Sequence, residues 1–473
     1  MRVGEAGPVP DAKPGSPLTG IGGGGRRRVL AAETARVRQA RNAVSVAFTG
    51  AGFAFASWAS RIPQVRAELR VTPGVLGLIL LGIAAGAAVA IPLSGVVITR
   101  LGEARTLAAM SLVAGAGLAT VAAGYTHGIA PTAAGLSLLG FGSGGWDVAM
   151  NVQGAAVERA IDRAIMPRFH AGWSIGTVAG AAAGTVMVAL HVPVTVHLLA
   201  VALAVTLAAL AATGRFLPPA ADPPASDRTA DGPTASDSKA DGPTASDPKA
   251  GDPKASDRDV RDVSDARDVP GQAAPRRSPL AAWTEPRTLV IGLFVLCMSV
   301  IEGAGNDWLS LGVIDGYHTA AAVGTATFAV FLAAMTAGRW FGPGLIDAHG
   351  RITILRGCTA TALAGLLMIA FGGFLPLVLA GAAAMGLGTS LGFPVGLSAA
   401  ADDPRHAAGR VATASSIGYA AFLAGPPAIG FLADHVGVLN ALSAAGVLLV
   451  AAFFFCRATA PLGGRASPAG SGG

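Results

Sequence analysis

Charge is scarce in this sequence. Only 13% of its 473 residues are charged, whereas 52% are hydrophobic, and the mean hydropathy is +0.56. A soluble globular domain carries about a quarter of its residues charged, so that class is excluded. Lysine is almost missing: Lys13, Lys239, Lys249 and Lys254 all lie outside the apolar stretches. That placement follows from the cost of a charge at the centre of a membrane helix, about 2.5–3.5 kcal/mol. The 3 cysteines, Cys297, Cys358 and Cys456, show no metal-ligand spacing. Each falls within or at the edge of an apolar run, where a free cysteine packs as a small hydrophobe. There is no phosphate-binding glycine loop followed by lysine, no zinc spacing and no nucleophile with a placed base. An enzyme is therefore not expected, and neither is a metal or a cofactor.

What is present is apolar length. Runs of about 20 residues, enough to cross roughly 30 Å of hydrocarbon as helix, recur at 42–60, 73–98, 106–125, 132–155, 169–190 and 194–214. They resume at 287–313, 320–342, 354–374, 376–400, 411–433 and 437–457. Closed barrels, the other way to span a bilayer, need short alternating strands that the sequence does not offer. The 65 glycines fit membrane helices packed through small residues. The expected fold is an all-α integral membrane protein of twelve transmembrane helices in two six-helix pseudo-repeats, 42–214 and 286–457.

Three segments fall outside that plan. Residues 1–41 read as a disordered basic tail, with GGGGRRRVL and then Arg36, Arg38 and Arg41. Residues 215–285 are rich in Asp, Pro, Ser, Ala and Lys, and repeat ADGPTASD at 230 and 240; such a segment cannot bury enough apolar surface to fold and reads as a disordered linker. Residues 458–473 read as a second tail. Arg100, Arg105, Arg159, Arg163, Arg168, Arg351, Arg356, Arg405 and Arg410 fall in loops on one side. The positive-inside rule then places both termini and the linker in the cytoplasm, in an inner (plasma) membrane. Arg61, Arg66 and Arg70 on the opposite side break the rule, and topology gives no account of them beyond an amphipathic surface segment. The net charge of +6 is spread over helix ends rather than gathered in a patch, so no nucleic-acid partner is expected. The partners expected are the lipid bilayer and a small-molecule ligand, with protons, for a monomer.

The halves repeat each other at an offset of about 242 to 250 residues, the internal-repeat plan of a transporter with its site between the halves. ASWAS at 56 faces NDWLS at 306, LGFGSGG at 139 faces MGLGTSL at 385, and SIG at 174 faces SIG at 416. Three inter-helix loops also share a motif: GVVITRLGEAR at 95–105, PGLIDAHGR at 343–351 and GFLADHVG at 430–437. These loops resemble the G-x-L-a-D-r-x-G-r motif of the major facilitator superfamily, over about 42–457 apart from the linker. The resemblance implies gating loops at Gly102 and Arg105, at Asp347, Gly350 and Arg351, and at Asp434 and Gly437. In the family, the motif carboxylate helps hold a closed state of the cytoplasmic gate; Asp347 is then expected to face the start of the fifth span near Pro167 and Arg168. Thr99 stands where the first copy would carry Asp. SRIPQVRAEL at 60, GWDVAMNVQGAAVE at 145, MPRFHAGWSIGT at 166 and EGAGNDW at 302 further resemble YbjJ-type transporters, a subgroup near the sugar permeases such as fucose permease. The proton-coupled drug antiporters of the superfamily carry R-x-x-Q-G in the fourth span, and here Met150 takes the arginine position before Gln153 and Gly154.

Three acids fall within predicted spans: Asp147, Glu302 and Asp307. At 100° per residue, Asp147 shares a face with Asn151, and Glu302 with Asn306. An intramembrane acid faces a water-filled cavity or a partner. For Glu302 and Asp147 the readings are a proton relay or substrate contact, against a structural bond to another helix. Asp307 lies about 140° from Glu302 and is expected to cap, pair or line the outer vestibule. Trp146 and Trp308 flank acids and are candidates to stack on a ligand, while Arg339 is expected to snorkel or pair with an acidic loop residue. His170 is expected to cap its helix. The function implied is secondary transport of a small polar solute by rocker-switch alternating access, with proton coupling. An uncoupled facilitator, an efflux pump and a transporter-like sensor remain open.

Overall fold

The computed structural model describes residues 23–161, 165–218, 279–403 and 406–462, and every regular element among them is a helix. The expectations for the first 22 residues, for 219–278 and for the last residues from 463 lie outside these. The first half comprises α1 (Gly23–Ala59), α2 (Ile62–Leu69), α3 (Pro73–Gly124), α4 (Ile129–Ile161), α5 (Met166–Ala189) and α6 (Val194–Thr213). The second comprises α7 (Pro286–Tyr317), α8 (Ala321–His349), α9 (Arg351–Phe371), α10 (Leu375–Thr389), α11 (Gly392–Ala400), α12 (Ala407–Val436) and α13 (Val438–Phe455).

Among the described residues, 10 helical segments are long and apolar enough to cross a membrane. One of them, the 52-residue α3, is two helices joined at Gly102, whose φ of 78° and ψ of 164° break the helical path. The 33-residue α4 is as long as its neighbours but is diluted by Asp147, Asn151 and Gln153. Dividing α3 and adding α4 gives the twelve spans of the sequence reading.

All three motif glycines adopt one conformation: Gly102 at φ 78°, Gly350 at φ 81° and Gly437 at φ 83°, with ψ of 164°, 151° and 157°. A side chain is disfavoured there because its Cβ would clash with the backbone. The shared motif thus encodes a shared turn at three of the places where one span reverses into the next. Helices also approach closely through small residues. A Cβ on Gly140 of α4 would fall on the carbonyl of Ile83 in α3, and one on Gly176 of α5 on the carbonyl of Thr49 in α1. These contacts let backbones touch where lipid offers no hydrophobic drive to associate.

Element ends depart from expectation in three places. The helix α1 begins at Gly23, ahead of the expected start at 42; ETARVRQARNA is composed of good helix formers, so the helix outlasts its apolar part. At the other end of the linker, Glu285 accepts hydrogen bonds from Arg410 Nε at 2.5 Å and from Thr288 Oγ1 at 2.9 Å. The Arg410 guanidinium holds the Glu285 carboxyl below the usual carboxylate range. At the chain's far end, the carbonyls of Thr459 and Ala460 accept from Arg351 at 3.0 Å and Arg287 at 2.9 Å. Both arginines also bind the Asp402 carboxylate, at 2.9 Å from Arg287 and 3.0 Å from Arg351. Residues 285 and 458–460 therefore belong to the second half rather than to linker and tail, because these charged groups need partners at the bundle's end.

The glycine contacts are open to test. Gly140→Leu is expected to lower stability by about 1–3 kcal/mol through overpacking. Gly357→Ala, where nothing lies within 4 Å of an added Cβ, is expected to leave it unchanged or raise it by up to about 1 kcal/mol. Thermal unfolding of the two purified variants checks both.

Candidate functional site

Spans joined by short turns alternate in direction, so the start of the first arm of α3 and the ends of α7 and α12 share one end of the bundle. At that end the two halves are tied together. The Asp434 carboxylate, from the third motif copy, accepts from the backbone N–H of Gly74 at 2.9 Å and from Thr72 Oγ1 at 3.2 Å. A negative charge there sits against the N-terminus of α3, where the helix dipole favours it. Beside it, Arg66 of α2 meets Asp315 of α7 at 2.5 Å. Arg66, one of the basic residues that topology left without a reason, thus bonds across the halves.

At the opposite end the corresponding motif residues are open. Asp347 and Arg105 are exposed, with no hydrogen bond or ion pair to another described residue, and Thr99 bonds only Val96 of its own helix. The contact expected of Asp347 with the start of α5 is thus absent. Glu158 takes its place, accepting from the backbone N–H groups of Ile165 at 2.8 Å and Met166 at 2.6 Å. His170 does not cap α5 either; its ring meets Phe48 edge-on, with centroids 5.0 Å apart.

Between the two ends, polar side chains gather inside the bundle. The Asn151 amide donates to the Asp147 carboxylate at 3.2 Å and to the Asp147 carbonyl at 2.8 Å, as the shared helix face requires. The Asp147 side chain is exposed, yet it is within electrostatic reach of Tyr419 on α12 of the other half. In the second half, Glu302 accepts from Arg339 Nη2 at 2.7 Å, and Arg339 Nε donates to the carbonyl of Ser390 at 3.3 Å. Arg339 therefore pairs inside the bundle rather than with a loop acid. Its charge also reaches His170 on α5 of the first half. Asn306 keeps its Oδ1 buried without a partner, and Asp307 is half-buried with no hydrogen bond to another described residue.

The tryptophans lie elsewhere. Trp308 is 0% exposed and packs against the position of Gly430, and Trp146 is 3% exposed beside a crevice of about 20 Å³ within the first half. That space holds one water at most, and with both indoles buried neither is presented to a ligand. The aromatic surface falls instead to α11 and α12, where Tyr419 meets Phe393 at 5.9 Å and Phe422 at 6.1 Å. Gly303, beside Glu302, faces the Phe422 ring. The signal for this cluster was available: Tyr419 is one of 3 tyrosines and sits in mid-span among small residues. Between them these residues offer two acids, an arginine, amides and aromatic rings, groups that can hydrogen-bond a polar solute and stack on its apolar face.

Comparison with known proteins agrees with this architecture. Residues 43–347 match the family model for the Major Facilitator Superfamily. An uncharacterized MFS-type transporter of Yersinia pestis is 27% identical over 418 residues, covering 87% of this chain and 94% of that protein. An uncharacterized transporter of Sinorhizobium fredii is 31% identical over 410 residues, covering 83% of this chain and 90% of that protein. Among solved structures, the nucleoside transporter NupG superposes with a TM-score of 0.64 at 12% identity, covering 89% of this chain and 98% of that one. The Escherichia coli fucose:proton symporter FucP gives 0.53 at 14% identity, covering 89% and 98%. At such identities the structural likeness speaks for the fold.

The Glu302–Arg339 pair is only partly screened, with 12% and 26% of the two side chains exposed. A double-mutant cycle of Glu302→Gln and Arg339→Gln, read by thermal unfolding, is expected to give a coupling of about 1–3 kcal/mol. Additive effects of the two changes would mean that the contact contributes nothing.

Proposed function

Because this chain belongs to the major facilitator superfamily, we propose that it is a secondary active transporter moving a small polar solute by alternating access, coupled to protons. The observation that carries this reading is the Glu302–Arg339 pair, partly buried inside the bundle. An acid in that position exchanges a proton only by leaving its partner. Protonation of Glu302 releases Arg339 to bind a solute, and solute binding in turn favours the protonated acid. The two events are linked by the same contact, which is how an ion gradient drives a solute.

The rocking motion draws on the end contacts. With the tie at Asp434 and at Arg66–Asp315 placed outside by the positive-inside rule, the exposed Asp347 and Arg105 loops lie on the cytoplasmic side. The alternate state breaks that tie and closes the exposed Gly102 and Gly350 turns, bringing Asp347 toward α5. On this reading both termini are cytoplasmic and the membrane is the inner one. A polar, hydroxyl-bearing solute fits the mix of carboxylates, amides and aromatic rings, and agrees with neighbours named for nucleoside and fucose:proton transport. SRIPQVRAEL and EGAGNDW support membership of the YbjJ-type subgroup. Met150 in the arginine position of the drug antiporters counts against drug efflux.

Two measurements test the proposal. In proteoliposomes, an imposed pH gradient is expected to change accumulation of a screened sugar or nucleoside. Glu302→Gln and Asp147→Asn are each expected to reduce gradient-driven uptake by about tenfold or more, as loss of a relay acid does. Full proton-driven flux in both variants would remove these acids from the mechanism, and indifference to the gradient would make the protein a facilitator. Separately, Asp434→Asn removes a charge-assisted hydrogen bond of about 1.5–3 kcal/mol. Spin labels at the two ends are expected to report a larger population separated at the α3/α12 end; an unchanged distance distribution would leave Asp434 with no part in the gate.

A further inference from the structure

Where α1 and α6 run side by side, a cleft of about 200 Å³ opens on the surface of the first half. It is far larger than one water needs, and neither Asp147 nor the Glu302–Arg339 pair contributes to it. Ala43 and Ala212 form its buried floor, while Gln39, Asn42, Val46, Ala208 and Arg215 around them are exposed. The two spans run in opposite directions, so polarity is graded along the cleft. Gln39, Asn42 and Arg215 stand at the end where α1 enters the bundle and α6 leaves it; Val46 and Ala208 stand about 10 Å deeper.

The polar end is positive, and the two helices that build it carry nothing to balance it. No Asp or Glu occurs from Thr34 to Ala59 or from Val194 to Pro218, and Glu158 at the end of α4 is bound to the backbone N–H groups of Ile165 and Met166. Arg36 lies one turn before Gln39 on the same stripe of α1. The guanidinium groups of Arg36, Arg38 and Arg215 are exposed, with no hydrogen bond or ion pair to another described residue. Arg41 donates from Nε and Nη2 to Asn42 Oδ1 at 3.4 and 3.2 Å. That contact holds its charge at the rim of the cleft and leaves the Asn42 amide N–H groups to an outside acceptor. The deep end is the reverse: Val46 is 43% exposed, and Leu203 and Leu207 on α6 are 63% and 56% exposed.

Arginines above an apolar slot match, in the same order, a phosphate above an acyl chain. A soluble anion leaves the slot bare, and a lipid without net charge leaves the arginines uncompensated; an anionic phospholipid satisfies both ends, since basic residues beside a bilayer attract anionic headgroups and an apolar surface within it takes the chain. We propose that the α1/α6 cleft is a binding site for one anionic phospholipid, its phosphate held by Arg215, Arg41 and the Asn42 amide and one acyl chain laid over Ala43, Val46 and Ala208. The site joins the start of the first span to the end of the sixth, and its occupancy does not depend on the transported solute.

The full chain, purified in detergent and titrated under native mass spectrometry, provides the test. Dioleoyl phosphatidylglycerol is expected to bind at least about tenfold more tightly than dioleoyl phosphatidylcholine, and glycerol phosphate not at all. Arg215→Gln and Ala208→Trp are each expected to weaken binding of the first phosphatidylglycerol by about tenfold, one by losing a charge-assisted bond and the other by filling the slot with every charge kept. Both positions are exposed, so neither change disturbs the packing of the bundle. Equal affinity for the two lipids, glycerol phosphate binding as tightly as the lipid, or full affinity retained in either variant would overturn the proposal. The last result would reduce the arginines to a diffuse basic surface.

Discussion

Inside hydrocarbon a polar group has no solvent to fall back on, and that constraint orders most of this molecule. It forces the backbone into helices, whose hydrogen bonds close within each span. It presses ionisable side chains within the spans to find partners inside the bundle. Glu302 does so, bound to Arg339. Arg61 satisfies the constraint halfway, by donating to Nδ1 of the buried His197. The ends of the bundle obey a milder form of the rule, because water is available there, and so Asp347 and Arg105 stand free while Asp402 gathers two arginines.

The fold was largely legible because hydropathy and length report directly on spans. The twelve runs fall where the helices lie, and the three glycine motifs give three turns of one conformation. Span ends were less legible, since a helix such as α1 continues past its apolar part. The site was legible in its acids and not in its partners. Helical spacing put Asp147 with Asn151, a contact within one helix. It could not put Glu302 with Arg339, which are brought together by the packing of α7 on α8, nor set Tyr419 opposite Asp147. The tryptophans misled for a related reason. Adjacency in sequence to an acid turns a residue by 100° on a helix, and in Trp146 and Trp308 the indole is buried.

The three copies of the loop motif also separate two properties that a sequence match joins. The glycine sets the turn in every copy, whatever else occurs there. The carboxylate acts only where a neighbouring helix start is near, and in this conformation that is Asp434 against α3 and not Asp347 against α5. One motif therefore supplies a permanent bend and a conditional latch.

Asp402 has a consequence of another kind. By holding Arg287 at the beginning of α7, Arg351 at the beginning of α9 and, through them, the carbonyls of Thr459 and Ala460 after α13, it buckles the first and last residues of the second half to a single carboxylate. That half is thereby closed on itself like a ring.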